Sequence, residues 1–386
     1  MIKANYPTHK FHDIQTPFYY YDLEVLRTTL NEINVQAQKN DFHVHYAMKA
    51  NVNSSVLKVI KDAGLGADCV SGGEVEAAIQ AGVSPSKVVF AGVGKADWEI
   101  NLGLDHDIFC FNVESVAELE VIDELAAAKG KVANVALRIN PNVSAHTHHY
   151  ITTGLSENKF GINMSDLDAV VELFPTLAHV KLIGIHFHIG SQITDMTSFQ
   201  GLCVRVNELQ QYFLSKNVRL EHINVGGGLG INYEHPNHFP IPDFQAYFNI
   251  FRDHLQLLEH QTLHFELGRA IVAQCGSLIS RVLYIKQGTS KKFAILDAGF
   301  TELIRPALYQ AYHHIENLSS DLPVEPYDVV GPICESSDTF AKGFILNQTQ
   351  RGDIIALRSA GAYGEIMASQ YNLRKLPKAY TSDDLI

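Results

Sequence analysis

The stretch His43-Val44-His45-Tyr46-Ala47-Met48-Lys49-Ala50-Asn51, followed by Ser54-Ser55-Val56-Leu57-Lys58-Val59-Ile60-Lys61-Asp62-Ala63-Gly64, decides the fold. Its first part is a short run of apolar and aromatic residues with strand character. Its second part has a serine cap, apolar residues at helical spacing and a glycine stop. The strand-then-helix pattern recurs. Further runs stand at Gly66 to Val70, Lys87 to Ala91, Ile108 to Asn112, Asn134 to Asn140, Lys181 to His188, Glu221 to Val225 and Leu263 to Leu267, and Val75 to Ala81 and Leu119 to Ala128 have helical period. Eight βα units over about 230 residues match a TIM-like (β/α)8 barrel, typically ~250 residues, better than a doubly wound sheet.

After Arg269 the texture changes to strands and turns, at Ala270 to Tyr284, Lys292 to Leu296, Tyr327 to Val330 and Asp353 to Leu357, with helical period only around Arg305 to His314. The early run Phe18-Tyr19-Tyr20-Tyr21-Asp22 is a further strand candidate. The predicted fold is therefore α/β, with a (β/α)8 barrel over residues 23–268. A β-rich barrel or sandwich domain, formed by 1–22 and 269–386, is joined by the N-terminal strand.

Composition limits the partners. The 386 residues carry 30 basic and 42 acidic side chains, a net charge of −12, with 46% apolar residues and one tryptophan. An acidic chain lacks the basic field that nucleic acid or an anionic membrane requires, so a small molecule is the expected partner class. The five cysteines, Cys69, Cys110, Cys203, Cys275 and Cys334, are scattered and form no Cys-x-x-Cys pair. Neither a disulfide framework nor a zinc site is indicated, and a reducing cytoplasm is expected. The stretch Met1 to Pro7 has no apolar core of a secretion signal, and no membrane-spanning run of 18 apolar residues occurs.

Barrel enzymes carry their reactive groups at the C-terminal ends of the strands. Lys49 directly follows the first run. A lysine closing a buried strand is expected to have a desolvated amine, which favours the neutral nucleophile of Schiff-base chemistry; a rim lysine with its charge in water is the structural alternative. The sixth run ends in His186-Phe187-His188-Ile189-Gly190-Ser191-Gln192. An imidazole can stack on a heteroaromatic cofactor and Ser191 can donate to a phosphate, whereas the absence of a carboxylate in this loop argues against a metal. After the seventh run, Gly226-Gly227-Gly228-Leu229-Gly230 lets backbone N–H groups approach an anion where barrels commonly bind phosphate. The eighth ends in Phe265-Glu266-Leu267-Gly268-Arg269, with a carboxylate and a guanidinium beside that loop. These are the parts of a pyridoxal phosphate site. A carboxylate against the pyridine nitrogen keeps it protonated and makes the ring a strong electron sink, which suits loss of CO2.

Together with Asp68-Cys69-Val70-Ser71-Gly72-Gly73-Glu74, Arg305-Pro306-Ala307-Leu308-Tyr309, Gly331-Pro332-Ile333-Cys334-Glu335-Ser336-Ser337-Asp338 and Gly361-Ala362-Tyr363-Gly364, these strings resemble the diaminopimelate decarboxylase family, fold-type III pyridoxal phosphate enzymes related to ornithine and arginine decarboxylases. The resemblance runs from Thr16 to Arg374. It implies that Lys49 carries pyridoxal 5'-phosphate, that His188 stacks on its ring and that Glu266 pairs with its nitrogen. It further implies that Asp68, Ser191, Gly226, Gly227, Gly228, Gly268, Arg269 and Tyr363 surround the cofactor. Arg269, Arg305, Tyr309, Glu335 and Tyr363 would touch the substrate, Cys334 would donate the proton, and no metal is required. A homodimer with each site shared between subunits is implied as well. Phe300-Thr301-Glu302 stands where the family more often has Met-Asn-Asp, and Gly94-Lys95-Ala96-Asp97 replaces Gly-Lys-Ser.

The expected activity is decarboxylation of meso-2,6-diaminopimelate to L-lysine, the last step of lysine biosynthesis. The far end of that substrate bears an ammonium and a carboxylate, and Arg305 and Glu335 supply the two opposite charges. A decarboxylase of ornithine, arginine or a carboxylated polyamine is the rival enzyme, but a purely cationic tail has no use for a guanidinium. A non-catalytic cofactor-carrying barrel, the rival of another class, has no use for Cys334.

Overall fold

The computed structural model of the protein describes residues 6–143 and 159–385, so the start of the N-terminal stretch lies outside the described residues. A first strand, β1 (Phe18–Tyr21), is followed by β2 (Phe42–Ala47), β3 (Gly66–Cys69), β4 (Val88–Phe90), β5 (Cys110–Val113), β6 (Ala133–Arg138), β7 (Val180–His186), β8 (His222–Asn224) and β9 (Thr262–Leu267). Strands β2 to β9 form a closed parallel barrel, in which β2 pairs with β9 from Phe42↔Leu263 to Tyr46↔Leu267. All eight strand readings correspond to barrel strands, with ends moved by one or two residues. The sixth stops at His186, which leaves His188 on the loop beyond.

Helices between these strands follow the capping chemistry of their first residues. Helix Ser54–Asp62 buries Val56, Leu57 and Ile60, and its cap is Asn53 rather than the expected serine: Asn53 Oδ1 accepts from Ser55 N at 3.1 Å. Ser71 and Ser115 cap helices Gly72–Gln80 and Val116–Ala128 by accepting from Glu74 N and Glu118 N, each at 3.2 Å. Gly64 stops the first of these helices at φ +82°, a left-handed conformation natural to glycine.

A separate compact unit comprises residues 6–29, Ile231–Pro242 and 269–385. Its strands are β1, β10 (Gly276–Gln287), β11 (Lys292–Leu296), β12 (Ile315–Asn317), β13 (Val324–Val330), β14 (Thr339–Asn347), β15 (Ile354–Leu357) and β16 (Lys378–Thr381). They run in the order β12-β15-β10-β11-β13-β14, and β1 joins antiparallel to β10 and parallel to β16. The helical stretch expected to reach His314 ends at Tyr309, because Gln310 adopts φ +53°. Among the described residues, no helix is long and apolar enough to cross a membrane.

Polar side chains occupy the barrel interior in two layers. Toward the N-terminal strand ends, His45 Nε2 and His264 Nδ1 lie 2.9 Å apart, His264 Nε2 meets Thr262 Oγ1 at 2.8 Å, and the His222 ring packs edge-on to His264 with centroids 4.1 Å apart. Burial, reinforced by neighbouring imidazoles, pushes His45 down to about 4, His222 down to about 3 and His264 well below its ordinary value. The unfolded chain, with histidines near ~6.5, therefore takes up protons that the native barrel refuses as pH falls below that value. The stability this layer contributes is fully present above pH ~6.5 and is lost toward the low native values, at up to about 1.4 kcal/mol per pH unit for each histidine. Buried Asp68 and Glu74, pushed up to about 6 and about 7 chiefly by desolvation, shift stability in the opposite sense and offset part of the loss. Unfolding free energies from urea melts between pH 7.5 and 5 should thus fall less steeply for His222→Phe than for the unaltered protein, by up to about 1.4 kcal/mol per pH unit below pH ~6.5; parallel profiles would contradict this account.

Candidate active site

The second polar layer lies at the C-terminal strand ends. Glu266, near the end of β9, is 5% exposed and hydrogen-bonded by side chains from three other strands. Its Oε1 accepts from Asn224 Nδ2 at 2.8 Å and Asn112 Nδ2 at 3.2 Å, and its Oε2 meets His186 Nε2 at 2.9 Å. Burial alone would push the carboxyl up. His186, through its charge and its hydrogen bond, and Lys49 hold it well below the usual carboxylate range, so it is ionised inside the barrel. The carboxylate that His186 lacks in its own loop is supplied by a neighbouring part of the barrel.

Lys49 does not close the strand as expected. The strand ends at Ala47, and a 3-10 turn over Met48–Ala50 lifts Lys49 out, leaving its side chain 36% exposed with Nζ 3.4 Å from Asp68 Oδ2. Its amine is paired with the buried Asp68, and its side chain is not fully enclosed. Asp68 is pushed up to about 6, by burial first and then by the Glu266 charge, and its Oδ1 is buried without a hydrogen-bond partner among the described residues. His188, past the end of β7, is held well below the imidazole range by burial and by the charges of Lys49 and Arg138, so its ring is neutral. Arg138 closes β6 and pairs with Glu114 at 2.8 Å, and Glu114 also accepts from Gly92 N and Gly161 N at 3.1 Å.

The loop after β7 is tied to the glycine run after β8. Ile193 N donates to Gly228 O at 2.8 Å and Gly230 N to Ile193 O at 2.9 Å, which brings Ser191 alongside the glycines. Gln192, next to Ser191, adopts φ +59°, a conformation that costs a non-glycine residue of order 1–3 kcal/mol. The glycines are also demanded by packing. A Cβ on Gly226 would lie 2.1 Å from Phe187 O and one on Gly227 1.8 Å from Glu266 O, while a Cβ on Gly268 would press on Ala47 and Ala50. An ionised carboxylate at fixed orientation, a lysine amine beside an unsatisfied carboxyl oxygen, a neutral imidazole and a side-chain-free loop together fit a pyridoxal phosphate. The same donor set does not suggest a metal: among the described residues, no cluster of three or more His, Cys, Asp or Glu has ligating geometry.

The β-rich unit carries the other expected residues. Arg269, Arg305 and Tyr363 gather around Tyr233, which the sequence reading does not single out. Arg269 Nη1 donates to Tyr233 OH at 2.6 Å, and Arg305 Cζ lies 5.0 Å from the Tyr233 ring centre. Tyr363, at φ +57°, has its ring 4.9 Å from Arg269 Cζ, and Tyr309 lies within electrostatic reach of Arg269. Cys334 and Glu335 are exposed on one loop, and Glu335 Oε1 accepts from Tyr371 OH at 2.7 Å. Asp338 shapes this loop by accepting from Phe300 N and Ile333 N, both at 2.7 Å.

Within the two strings that depart from the family pattern, the shared Lys95 and the departing Glu302 both have structural roles in their own units. The Lys95 amine is buried against Glu118 at 2.5 Å and donates to Asn112 O at 2.8 Å, while Glu302 Oε2 accepts from Gly299 N at 2.7 Å. Asn112 and Asn224, which hold Glu266, Tyr233, which holds Arg269, and His313, whose Nε2 lies 2.8 Å from Arg305 Nη1, are neighbours of expected residues that sequence reasoning missed. For Asn224 a signal existed: His222-Ile223-Asn224 alternates, so Asn224 shares the inward side of its strand with a buried histidine.

A family model described as pyridoxal-dependent decarboxylase, pyridoxal binding domain, matches residues 26–273. Over all 386 residues, covering the full length of both chains, the sequence is 65% identical to a diaminopimelate decarboxylase of Bacteroides thetaiotaomicron. The crystal structure of the Helicobacter pylori diaminopimelate decarboxylase complexed with L-lysine superposes with a TM-score of 0.92 at 38% identity, covering 98% of this chain and 94% of that one. A second solved structure, the diaminopimelate decarboxylase from "m. jannaschii" in co-complex with L-lysine, gives a TM-score of 0.88 at 35% identity over 97% and 89% of the two chains. Barrel, β-rich unit, cofactor-compatible strand ends and end-to-end similarity agree, and the chain belongs to the diaminopimelate decarboxylase family of pyridoxal phosphate-dependent carboxy-lyases.

Proposed function

We propose a division of roles among the residues of this chain in the pyridoxal phosphate-dependent decarboxylation of meso-2,6-diaminopimelate to L-lysine and CO2. The observation that carries it is the ionised Glu266 carboxylate, fixed by Asn112, His186 and Asn224 inside the barrel. When bound, the cofactor supplies a protonated pyridine ring that accepts the electron pair left by CO2. Glu266 keeps that proton in place, Lys49 holds the cofactor through its amine, and the neutral His188 offers its ring face. Asp68 lies beside the amine of Lys49. Ser191, the backbone of Gly226 to Gly228, Gly268, Arg269 and Tyr363 surround the phosphate.

On the substrate side, Arg305, with Tyr309, Arg269 and Tyr363, receives the distal carboxylate, and Glu335 receives the distal ammonium. Distal anchoring contributes orientation, presenting the scissile carboxylate to the cofactor. Cys334 delivers a proton to the carbon that has lost CO2. The reading favours a dicarboxylic substrate over ornithine or arginine because the buried guanidinium of Arg305 is suited to an anion.

The active assembly in this reading is a homodimer, each barrel completed by Cys334 and Glu335 of a second copy, while Tyr363 stays beside Arg269 of its own chain. It is supported by the exposure of Cys334 and Glu335 on their loop. A cytoplasmic location belongs to the same reading and is supported by five cysteines that are all free.

Purified holoenzyme offered meso-diaminopimelate, ornithine, arginine and lysine separately should release CO2 only from the first, with lysine as product; turnover of ornithine or arginine would overturn the account of Arg305. Cys334→Ala should lower kcat by about 100-fold or more, the usual range for loss of a proton donor. Mixing Lys49→Ala with Cys334→Ala subunits should restore about a quarter of full activity after random exchange in a two-fold dimer. No recovery despite demonstrated exchange would exclude a shared site.

A further inference from the structure

Arg305 has an unusual set of neighbours for a buried cation. It is 5% exposed, yet among the described residues no carboxylate pairs with it. Buried arginines are ordinarily matched by an acid, because an unpaired charge away from water is costly. Arg305 Nη1 instead meets His313 Nε2 at 2.8 Å, and His313 Nδ1 lies 2.8 Å from Arg358 O. A carbonyl oxygen only accepts, so Nδ1 carries the proton and donates to it. Nε2 therefore presents its lone pair to the guanidinium, and one tautomer of a neutral imidazole is selected. Burial and the adjacent arginines push His313 down to about 3, which keeps the imidazole neutral at working pH. Beneath the guanidinium lies the ring of Tyr233, whose hydroxyl is engaged by Arg269 Nη1 at 2.6 Å.

This arrangement orients the guanidinium without neutralising it. A carboxylate in place of His313 would hold Arg305 equally well but would spend its charge inside the protein, leaving little for an incoming anion. We propose that His313 and Tyr233 are positioning residues that set specificity: they fix the Arg305 guanidinium with its charge uncompensated, so that the distal carboxylate of a diamino dicarboxylate becomes its counter-ion. The proposal rests on the reading that Arg305 meets that carboxylate. His313 is the anchor and the Tyr233 ring the platform, and neither need touch the reacting atoms.

Steady-state kinetics of the holoenzyme variants test it, with L-lysine, which keeps the distal carboxylate, and 1,5-diaminopentane, which has none, as competing inhibitors. His313→Leu should raise KM for meso-diaminopimelate about 10- to 100-fold, the size of one charge-assisted hydrogen bond, with kcat within about threefold. Inhibition by L-lysine should weaken in parallel, whereas inhibition by 1,5-diaminopentane should not change; a merely structural role would weaken both. His313→Gln, which can accept from Arg305 and donate to Arg358 O, should stay within about threefold of the unaltered KM. His313→Glu supplies an anchor that is also a counter-charge and should raise KM at least as far as the leucine variant. Should His313→Leu fail to fold, the glutamine and glutamate variants decide between them. An unchanged KM in His313→Glu, while Arg305→Lys raises it, overturns the positioning role and leaves that of Arg305 standing. An unchanged KM in Arg305→Lys overturns the reading of Arg305 itself.

Discussion

Closure of the barrel between β2 and β9 is the constraint on which the site depends. The two strands are separated by more than half the chain, and their pairing from Phe42↔Leu263 to Tyr46↔Leu267 brings the turn bearing Lys49 next to the strand bearing Glu266. Parallel pairing keeps every strand pointing the same way, so all the C-terminal ends meet at one mouth. The Glu266 carboxylate then finds donors from β5, β7 and β8, none of them near it in sequence. Leaving such a charge without its partners would cost about 3–5 kcal/mol, so the ring of donors and the closed barrel depend on each other.

Much of this was legible in the sequence because local rules sufficed. Eight apolar runs separated by helical segments need no tertiary information to be recognised, and strand ends are where a barrel must put chemistry. Lys49, His188, the glycine run and Glu266 therefore stand out from position alone. The helix caps were half legible: Ser71 and Ser115 follow the rule, but the neighbouring Asn53 took the role assigned to serine, since either side chain can accept from the second helical N–H. Solvation was not legible. Whether Lys49 is dry depends on a single 3-10 turn that the run Tyr46 to Asn51 does not announce.

The β-rich unit was read less completely, for a physical reason. Its strands β12, β14 and β16 are edge or partly exposed elements, without the continuous apolar run that marks a buried parallel strand. Tyr233 and His313 stood out even less. Each reaches Arg305 through a side-chain contact specified by tertiary packing, and nothing in Asn232-Tyr233-Glu234 or Tyr312-His313-His314 distinguishes them from surface residues. Interior histidines of the barrel were similarly silent, because alternation cannot tell an imidazole that packs from one that binds.

The tight approach of the loops at Gly226 and Gly227 has a consequence for heredity. With a carbonyl oxygen standing where any Cβ would go, the smallest side chain displaces the backbone of Phe187 in one case and of Glu266 in the other. Every base change that turns a glycine codon into that of another amino acid adds such an atom. At these two positions the gene has no harmless amino-acid neighbour one step away, and a lineage can change its substrate end far more freely than this turn of its main chain.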